Sequence, residues 1–389
     1  MLKFKIEGLF GRFNYELEFK NDVTILTGPN GYGKTTILQC IEALSKANLL
    51  FFKELNFNKI EVIFENKEYN ILLVKTPKEL IVNKEILALN SIKNNSHKPA
   101  TIHRVTLENL KPITTCEIEE VFSRRDEVCK AIGIVYFIRD QRIWKRQNNK
   151  SKHIVETINE LSDKLQTNIN HLANQYSALS NELDSTYPFR LYDAHISIKE
   201  EYYQKEMHNL KAKFEKLVEY NLIDSQIFAN FDNLKFNAEK SIAIKLYIDD
   251  FTKKYQVYED FIIKLDLFTS IINSKLTFKQ IKISRINGIQ VITDTGEVLS
   301  LNQLSSGEQQ QIILFYELIF DTNINELILI DEPEISLHIV WLKSFMEDLL
   351  QIIKYKGFRV IVSTHSPQIL SNYWDRQIDL GGLYNDQLN

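Results

Sequence analysis

The segment Val23-Thr24-Ile25-Leu26-Thr27-Gly28-Pro29-Asn30-Gly31-Tyr32-Gly33-Lys34-Thr35-Thr36 decides the fold of this chain. It predicts an apolar strand, a glycine-rich turn and the start of a helix, which is the setting that the phosphate-binding pattern GxxxxGK[ST] requires. The glycines allow backbone N–H groups to point at phosphates, and the helix N-terminus favours negative charge. A chance glycine-rich turn is the alternative, but it would not combine the strand, the spacing, the lysine and the threonine.

The same segment predicts that the chain binds ATP together with Mg²⁺. Lys34 is expected to reach the β- and γ-phosphates, and the hydroxyl of Thr35 is expected to bind Mg²⁺. The predicted nucleotide-binding residues of the loop are Asn30, Gly31, Gly33, Lys34, Thr35 and Thr36.

Two carboxylates follow a second apolar strand. Four apolar residues from Leu327 to Ile330 lead into Asp331-Glu332-Pro333, and α/β sheets bind their ligands at the carboxyl ends of the strands. We expect Asp331 to hold Mg²⁺ and Glu332 to act as the general base that polarises the attacking water. Two solvated acids at a strand end are the alternative, and the phosphate-binding loop favours the catalytic interpretation.

A third element is Leu304-Ser305-Ser306-Gly307-Glu308-Gln309, in which small residues lead into an apolar-periodic helix. An exposed helix N-terminus that carries a serine hydroxyl is a second anion site. One phosphate-binding loop does not need two such sites within a chain. We therefore expect Ser305 and Gly307 to complete the nucleotide site of a neighbouring copy, in a homodimer or a higher homo-oligomer. A capped surface helix is the alternative.

These segments together resemble the ABC-type ATPases. Residues 304–309 are similar to the family signature LSGGQ, with departures at Ser306 and Glu308, and residues 361–366 are similar to the strand and switch histidine of that family. The resemblance implies that His365 contacts the γ-phosphate. It also implies that Gln141 occupies the Q-loop, where it senses Mg²⁺ and the attacking water. A solvated linker glutamine is the alternative at that position.

The predicted fold class is α/β, because strands alternate with helices on both sides of a long insertion. We expect an ABC-type P-loop nucleotide-binding domain with a mainly parallel core sheet, an antiparallel β subdomain and an inserted helical or coiled-coil arm. The predicted limits are residues 1–147 for an N-terminal lobe with the phosphate loop and Q-loop, 148–275 for the insertion, and 276–389 for a C-terminal lobe with the signature, both carboxylates and the switch histidine.

Two apolar stripes mark the insertion. One recurs every three or four residues from Ile154 to Leu183, and the other runs from Tyr203 to Leu217. The pattern predicts two helices with a turn near Tyr187-Pro188, packed antiparallel as a hairpin. An ordinary helical subdomain is the alternative to a projecting arm.

Composition limits the remaining function classes. The 389 residues carry a net charge of −4, and their three cysteines have no CxxC spacing, which argues against a disulfide framework or a zinc site. No apolar run reaches the roughly 18 residues of a membrane helix, so we expect a cytoplasmic protein without a membrane partner. DNA is a candidate partner, because a basic run extends from Arg139 to Lys152. A solvated face is the alternative for that run.

Coiled-coil helices between two ATPase lobes are the pattern of SMC, RecF-like and OLD-like ATPases. Residues 331–338 look most like OLD-like and related defence ATPases, although His338 replaces the usual D-loop aspartate. Residues 304–318 resemble the ATPase subunits of the anti-phage systems PARIS and Septu. The resemblance implies a sensor or scaffold that controls a separate, nuclease-like effector protein. A RecF/SMC-like DNA-binding ATPase of recombination or repair is the alternative, and a transporter subunit is a third candidate.

Overall fold

The computed structural model describes most of the chain, and its residues divide into two compact units. One unit consists of residues 1–141 and 321–389, and the other of residues 142–320. The described residues are 3–20, 22–46, 48–64, 70–82, 85–88, 104–105, 132–139, 144–146, 154–223, 235–335 and 339–387. Residues 276–320, which carry the signature-like segment, thus belong to the same unit as the helical insertion.

Strands and helices alternate along the described chain. The strands are β1 (Lys3–Leu9), β2 (Phe13–Glu18), β3 (Val23–Thr27), β4 (Lys59–Ile63), β5 (Ile71–Lys75), β6 (Glu79–Val82), β7 (Glu85–Ala88), β8 (Arg104–Val105), β9 (Val135–Ile138), β10 (Trp144–Arg146), β11 (Ile154–Glu156), β12 (Lys279–Ser284), β13 (Gly288–Thr293), β14 (Val298–Leu299), β15 (Leu327–Asp331), β16 (Arg359–Ser363) and β17 (Gln377–Asp379). The helices are α1 (Lys34–Ser45), α2 (Leu49–Glu54), α3 (Thr157–Asp193), α4 (Glu200–Glu219), α5 (Ser241–Asn273), α6 (Ser306–Tyr316), α7 (Ile339–Lys356), α8 (Pro367–Leu370) and α9 (Leu380–Asn385).

A parallel sheet with the order β17-β3-β16-β15-β9 forms the centre of the first unit. Every residue of β3 and β15 is buried, which explains why both strands are continuous apolar runs in the sequence. Because β16 lies between β3 and β15, the segments that follow these three strands meet at one edge of the sheet. Those segments are the phosphate loop, the turn that begins with Glu332 and the loop that carries His365.

An antiparallel sheet with the order β2-β1-β4-β5-β6-β7-β8 completes the first unit. In β1 the apolar Phe4 and Ile6 are buried, and the alternating Lys5 forms an ion pair of 3.1 Å with Glu16 on β2. One hydrophobic cluster combines buried residues of both sheets and of α1. The predicted fold class, an α/β chain with a parallel core sheet, an antiparallel β subdomain and inserted helices, is confirmed.

The second unit contains the long helices. Helices α3 and α4 each pack against α5, and the predicted stripe supplies buried positions of α3 such as Leu161, Leu165 and Ile169. Two small antiparallel sheets, β10-β11 and β12-β13-β14, accompany these helices. Within the described ranges, none of the helices combines the length and the apolar character that a membrane crossing needs.

The predicted turn at Tyr187-Pro188 is wrong, because α3 continues through Pro188 to Asp193. A proline inside a helix removes one backbone hydrogen bond, and Arg190 stabilises the helix beyond it. Its guanidinium donates to the carbonyl oxygen of Leu183 at 2.6 Å and to both carboxylate oxygens of Asp250 on α5 at 2.6 and 2.7 Å. The predicted two-helix hairpin is likewise corrected, since α3 and α4 both use α5 as their partner.

Candidate nucleotide-binding site

The loop between β3 and α1 has the backbone that phosphate binding needs. Gly28, Gly31 and Gly33 all have positive φ, at 139°, 83° and 87°, in a region that side chains with a Cβ rarely adopt. Gly33 is the N-cap of α1. A Cβ atom at this position would lie 2.7 Å from Cδ2 of the fully buried Leu9, so both the conformation and the space require glycine.

Lys34 lies at the centre of the site and is 5% exposed. Its ammonium donates to the carbonyl oxygen of Gly28 at 2.9 Å and lies 2.6 Å from Nε2 of His365. Because Lys34 can only donate, this contact is a hydrogen bond in the tautomer whose Nε2 carries no proton. Burial lowers the pKa of Lys34, and the nearby carboxylates of Glu332 and Asp331 counteract that shift. The lysine and the histidine, 331 positions apart in sequence, are thus in direct contact in the site.

Asp331 ends β15 opposite Ser363 on β16. Its Oδ1 accepts hydrogen bonds from the hydroxyl of Thr35, at 3.1 Å, and from the hydroxyl of Ser363. The hydroxyl of Thr35 and the carboxylate of Asp331 thus place adjacent oxygen atoms of the hard type that Mg²⁺ prefers. Phosphate oxygens and water normally supply the other ligands of Mg²⁺ in such sites, so the residues present fit this ion.

Glu332 has a backbone conformation that is rare for a residue other than glycine, with φ at 43°. Its N–H donates to the carbonyl oxygen of Ser363 at 3.0 Å, and its Oε1 lies 3.5 Å from Nε2 of His365. Burial and then the charge of Asp331 raise the pKa of Glu332, while His365 and Lys34 act in the opposite direction. Strained backbone and a shifted carboxyl pKa are both typical of catalytic positions.

Glu334 is a site residue that none of the sequence motifs identifies. Its Oε1 accepts hydrogen bonds from the hydroxyl of Thr364, at 2.8 Å, and from the backbone N–H of His365, at 2.6 Å. The available signal was a third acid, two positions after Glu332, in the turn that follows β15.

The C-terminal segment also borders the phosphate loop. In the first unit, β17 pairs with β3, and the ring of Tyr384 on α9 lies 5.9 Å from that of Tyr32 and 5.0 Å from that of Phe13. Phe13 in turn lies 5.2 Å from Tyr32. Local sequence pattern does not predict this aromatic cluster, since its members come from separate segments and Tyr384 lies more than 350 positions from the other two.

The signature-like segment belongs to the second unit and begins α6. Ser305 is the N-cap, and it forms a reciprocal capping box with Glu308. Lys279 on β12 donates to the Glu308 carboxylate at 3.0 Å. Burial alone would raise the pKa of Glu308, but the hydrogen bonds from Lys279 and Ser305 lower it. Gly307 is buried in the first turn. The segment thus forms a capped helix N-terminus, which agrees with both the predicted anion site and its alternative, a capped surface helix.

Residues 23–371 of the chain match the family described as "AAA domain, putative AbiEii toxin, Type IV TA system". The chain belongs to this family. It is a family of AAA-type P-loop ATPase domains, and the match spans the phosphate loop, the signature-like segment and the segments that carry Asp331 and His365, but not Phe13 or Tyr384. No curated protein matches the chain.

Several solved structures are similar to this family member. The Smc head domain with an extended coiled coil from Pyrococcus furiosus, bound to the C-terminal domain of ScpA, is 12% identical over 95% of this chain and 90% of that chain, with a TM-score of 0.41. The SMC head domain from Thermotoga maritima is also 12% identical over 95% and 90%, with a TM-score of 0.35. An SmcHead bound to the C-winged helix domain of ScpA is 11% identical over 95% and 91%, with a TM-score of 0.43.

In this AAA-domain family member the structure brings five predicted site residues together, namely Lys34, Thr35, Asp331, Glu332 and His365. The loop residues Asn30 and Gly31 are exposed, while Thr36 is half-buried in the first turn of α1. Gln141 and His338 lie outside the described residues, and the proposed role of Gln141 stays a prediction.

Gly33→Ala should destabilise the protein and weaken ATP binding. The added methyl group combines backbone strain, which costs about 1–3 kcal/mol at such φ values, with a contact to Leu9 in the core. Gly31→Ala is a matched control, because Gly31 also has positive φ but no atom lies within 4 Å of the added Cβ. Thermal unfolding of the two variants should give the lower midpoint for Gly33→Ala. Equal midpoints would show that the packing against Leu9 is unimportant.

Proposed function

We propose that this chain is an ABC-type ATPase that binds and hydrolyses ATP with Mg²⁺. One observation carries the proposal: a buried lysine, two carboxylates and a histidine converge beside the glycine-rich loop at one edge of the parallel sheet. The shortest of the contacts that join them is the 2.6 Å approach of Lys34 to His365. Release of inorganic phosphate from ATP by the purified chain tests the proposal, and a chain without that activity contradicts it.

The proposed mechanism assigns a separate task to each residue. The backbone N–H groups of the loop and Lys34 bind the phosphates. Thr35 and Asp331 would hold Mg²⁺, which supplies positive charge beside the phosphate oxygens. Glu332 accepts a proton from the attacking water, and His365 contacts the terminal phosphate through the imidazole that it presents to Lys34. Rate enhancement then comes mainly from positioning and charge stabilisation.

We further propose that two copies of the chain enclose each nucleotide. The support is the helix N-terminus at Ser305, which is an anion-binding element in the unit that does not contain the phosphate loop. The γ-phosphate distinguishes ATP from ADP. A turn that binds it from the second copy would make ATP favour the closed dimer and hydrolysis release it.

A complementation experiment tests this composite site. Lys34→Ala and Ser305→Asp should each abolish hydrolysis alone, yet a mixture of the two chains should regain it. In the mixed dimer, the intact loop of the Ser305→Asp chain faces the intact signature turn of the Lys34→Ala chain. Phosphate release from the mixture is the measurement. A site contained within one chain would leave the mixture inactive.

Ser305→Asn is the matched control for that experiment. Asn and Asp have the same shape and cap helices about as well as serine, so the two variants differ in one negative charge, which would lie beside the incoming phosphate and also beside the Glu308 carboxylate that Ser305 contacts at 3.0 Å. We expect Ser305→Asn to keep much more activity than Ser305→Asp. Equal loss in both variants, with unfolding midpoints near that of the wild type, would count against a phosphate contact at this turn.

The biological role we propose is that of a sensor or scaffold in anti-phage defence, acting on a separate effector protein. Its support is the resemblance of residues 304–318 to defence ATPases and the family description, which names a toxin of a type IV toxin–antitoxin system. Purification of the chain from its untagged native operon should recover a neighbouring gene product in a stable complex. Recovery of the chain alone, together with salt-sensitive DNA binding, would favour the RecF/SMC-like alternative.

A further inference from the structure

Glu334 connects the two loops that carry the proposed catalytic side chains. It lies in the turn after β15, two residues beyond Glu332, and its Oε1 accepts hydrogen bonds from the hydroxyl of Thr364 and the N–H of His365. Both donors belong to the loop after β16. One carboxylate oxygen thus joins the turn of the proposed base to the loop of the switch histidine.

The loop after β16 is anchored on both sides of the histidine. Thr364 is fully buried, its N–H donates to the carbonyl oxygen of Leu26, and its hydroxyl accepts the N–H of Ser366. These bonds fix Thr364 and the residue after His365. The backbone of His365 itself is held by the bond that its N–H donates to Glu334, so this carboxylate sets the direction in which the imidazole leaves the backbone.

Holding the loop with the carboxylate of Glu334 costs free energy. Its other oxygen, Oε2, is buried and accepts no hydrogen bond from any residue that the structure describes, which costs free energy. Glu334 also adds negative charge near Glu332, whose pKa it helps to raise. Glu334 forms two good hydrogen bonds through one carboxylate oxygen and leaves the other without a partner among the described residues. Such a cost at an active site indicates a functional constraint on the loop.

We propose that Glu334 is the positioning residue for His365. It holds the loop so that Nε2 stays beside Lys34 and Glu332, and it is needed for hydrolysis rather than for ATP binding. This inference rests on the ATPase function proposed above. It also separates the two acids of the turn: Glu332, which is 30% exposed and lies next to His365 Nε2, is the base, and Glu334 positions the histidine.

Steady-state ATPase kinetics and direct ATP binding of three variants test the proposal. Glu334→Ala removes the acceptor and should lower kcat about ten- to hundredfold, by analogy with the loss of a partner that orients a metal ligand, while ATP affinity stays near that of the wild type. Glu334→Gln keeps an acceptor oxygen and should retain most of kcat. Thr364→Val removes one of the two donors to Glu334 and should give an intermediate kcat. This variant still tests the proposal if Glu334→Ala folds poorly.

A spectroscopic measurement separates this inference from the ATPase proposal. The imidazole signals of His365, recorded on histidine-labelled protein and assigned with His365→Ala, should shift in Glu334→Ala and stay near their wild-type position in Glu334→Gln, without any nucleotide. If these shifts occur but the wild type releases no phosphate, the ATPase proposal fails and the positioning role stands. The positioning role is overturned if Glu334→Ala leaves the signals and kcat unchanged, or if Glu334→Gln is as impaired as Glu334→Ala.

Discussion

Glu332→Gln should reduce ATP hydrolysis by about a hundredfold or more, the usual contribution of a general base, while ATP-dependent association of two copies persists or strengthens. The substituted amide keeps the size of the side chain but cannot take a proton from water. The phosphate contacts of Lys34 and the helix N-terminus remain, so ATP binding survives. A chain that binds ATP and cannot cleave it accumulates in the closed dimer.

The raised pKa of Glu332 leads to a second expected result for Glu332→Gln, which concerns its stability. Because the folded-state pKa of Glu332 is raised by burial and Asp331, its contribution to stability is fully present below its ordinary pKa and is lost as pH rises through the raised value. At neutral pH the ionised carboxylate therefore disfavours the folded, ligand-free protein. Glu332→Gln should raise the unfolding midpoint there, and this advantage should shrink in acid.

Phosphate release and size-exclusion chromatography with ATP measure the two main effects of Glu332→Gln. Glu347→Gln, on an exposed position of α7, is the matched control and should behave as the wild type. In the wild type kcat/KM should fall as pH drops through the raised pKa that Glu332 has in the ligand-free protein, since the base must be ionised, and the residual rate of Glu332→Gln should lack that dependence. A normal rate in Glu332→Gln would assign the base to another residue.

The sequence predicted the strands of the parallel sheet well, because their local apolar pattern agrees with their burial in the folded chain. The apolar strand predicted from Leu327 to Ile330 differs from the observed β15 by a single residue, because strands buried on both faces are continuous apolar runs that end at polar residues. Adjacent parallel strands also bring their carboxyl ends together. That geometry made it possible to predict the meeting of Lys34 and Asp331, and the family resemblance added His365.

The wrong and the missed predictions all involve contacts between residues that are far apart in the chain. Pro188 normally marks a boundary, and the Arg190–Asp250 pair, 60 positions apart, overrides it. The role of Glu334 depends on donors about 30 positions away, and Tyr384 reaches the phosphate loop from the end of the chain. No local pattern encodes such partners. The composite site remains a prediction because it needs a second copy of the chain. The role of Gln141 remains a prediction because this residue lies outside the described residues.

Lys34→Ala should lower ATP affinity by about two orders of magnitude or more, because a charge-assisted hydrogen bond is worth about 1.5–3 kcal/mol and the phosphates also lose a counter-charge in a buried site. Hydrolysis should disappear with binding, whereas Glu332→Gln loses hydrolysis alone. The variant should still fold, since alanine favours helix and a cation at a helix N-terminus is unfavourable. Isothermal titration with ATP and Mg²⁺ measures the affinity.

Lys46→Ala is the matched control, because Lys46 follows the last turn of the same helix and its side chain is 61% exposed. Both variants remove one positive charge from the chain, so a difference between them reports position and not net charge. ATP should raise the unfolding midpoint of Lys46→Ala as it does for the wild type and leave that of Lys34→Ala nearly unchanged. If ATP stabilised both variants equally, the phosphates would have to bind away from this loop, and the tasks assigned to Thr35 and Asp331 would fail together with that of Lys34.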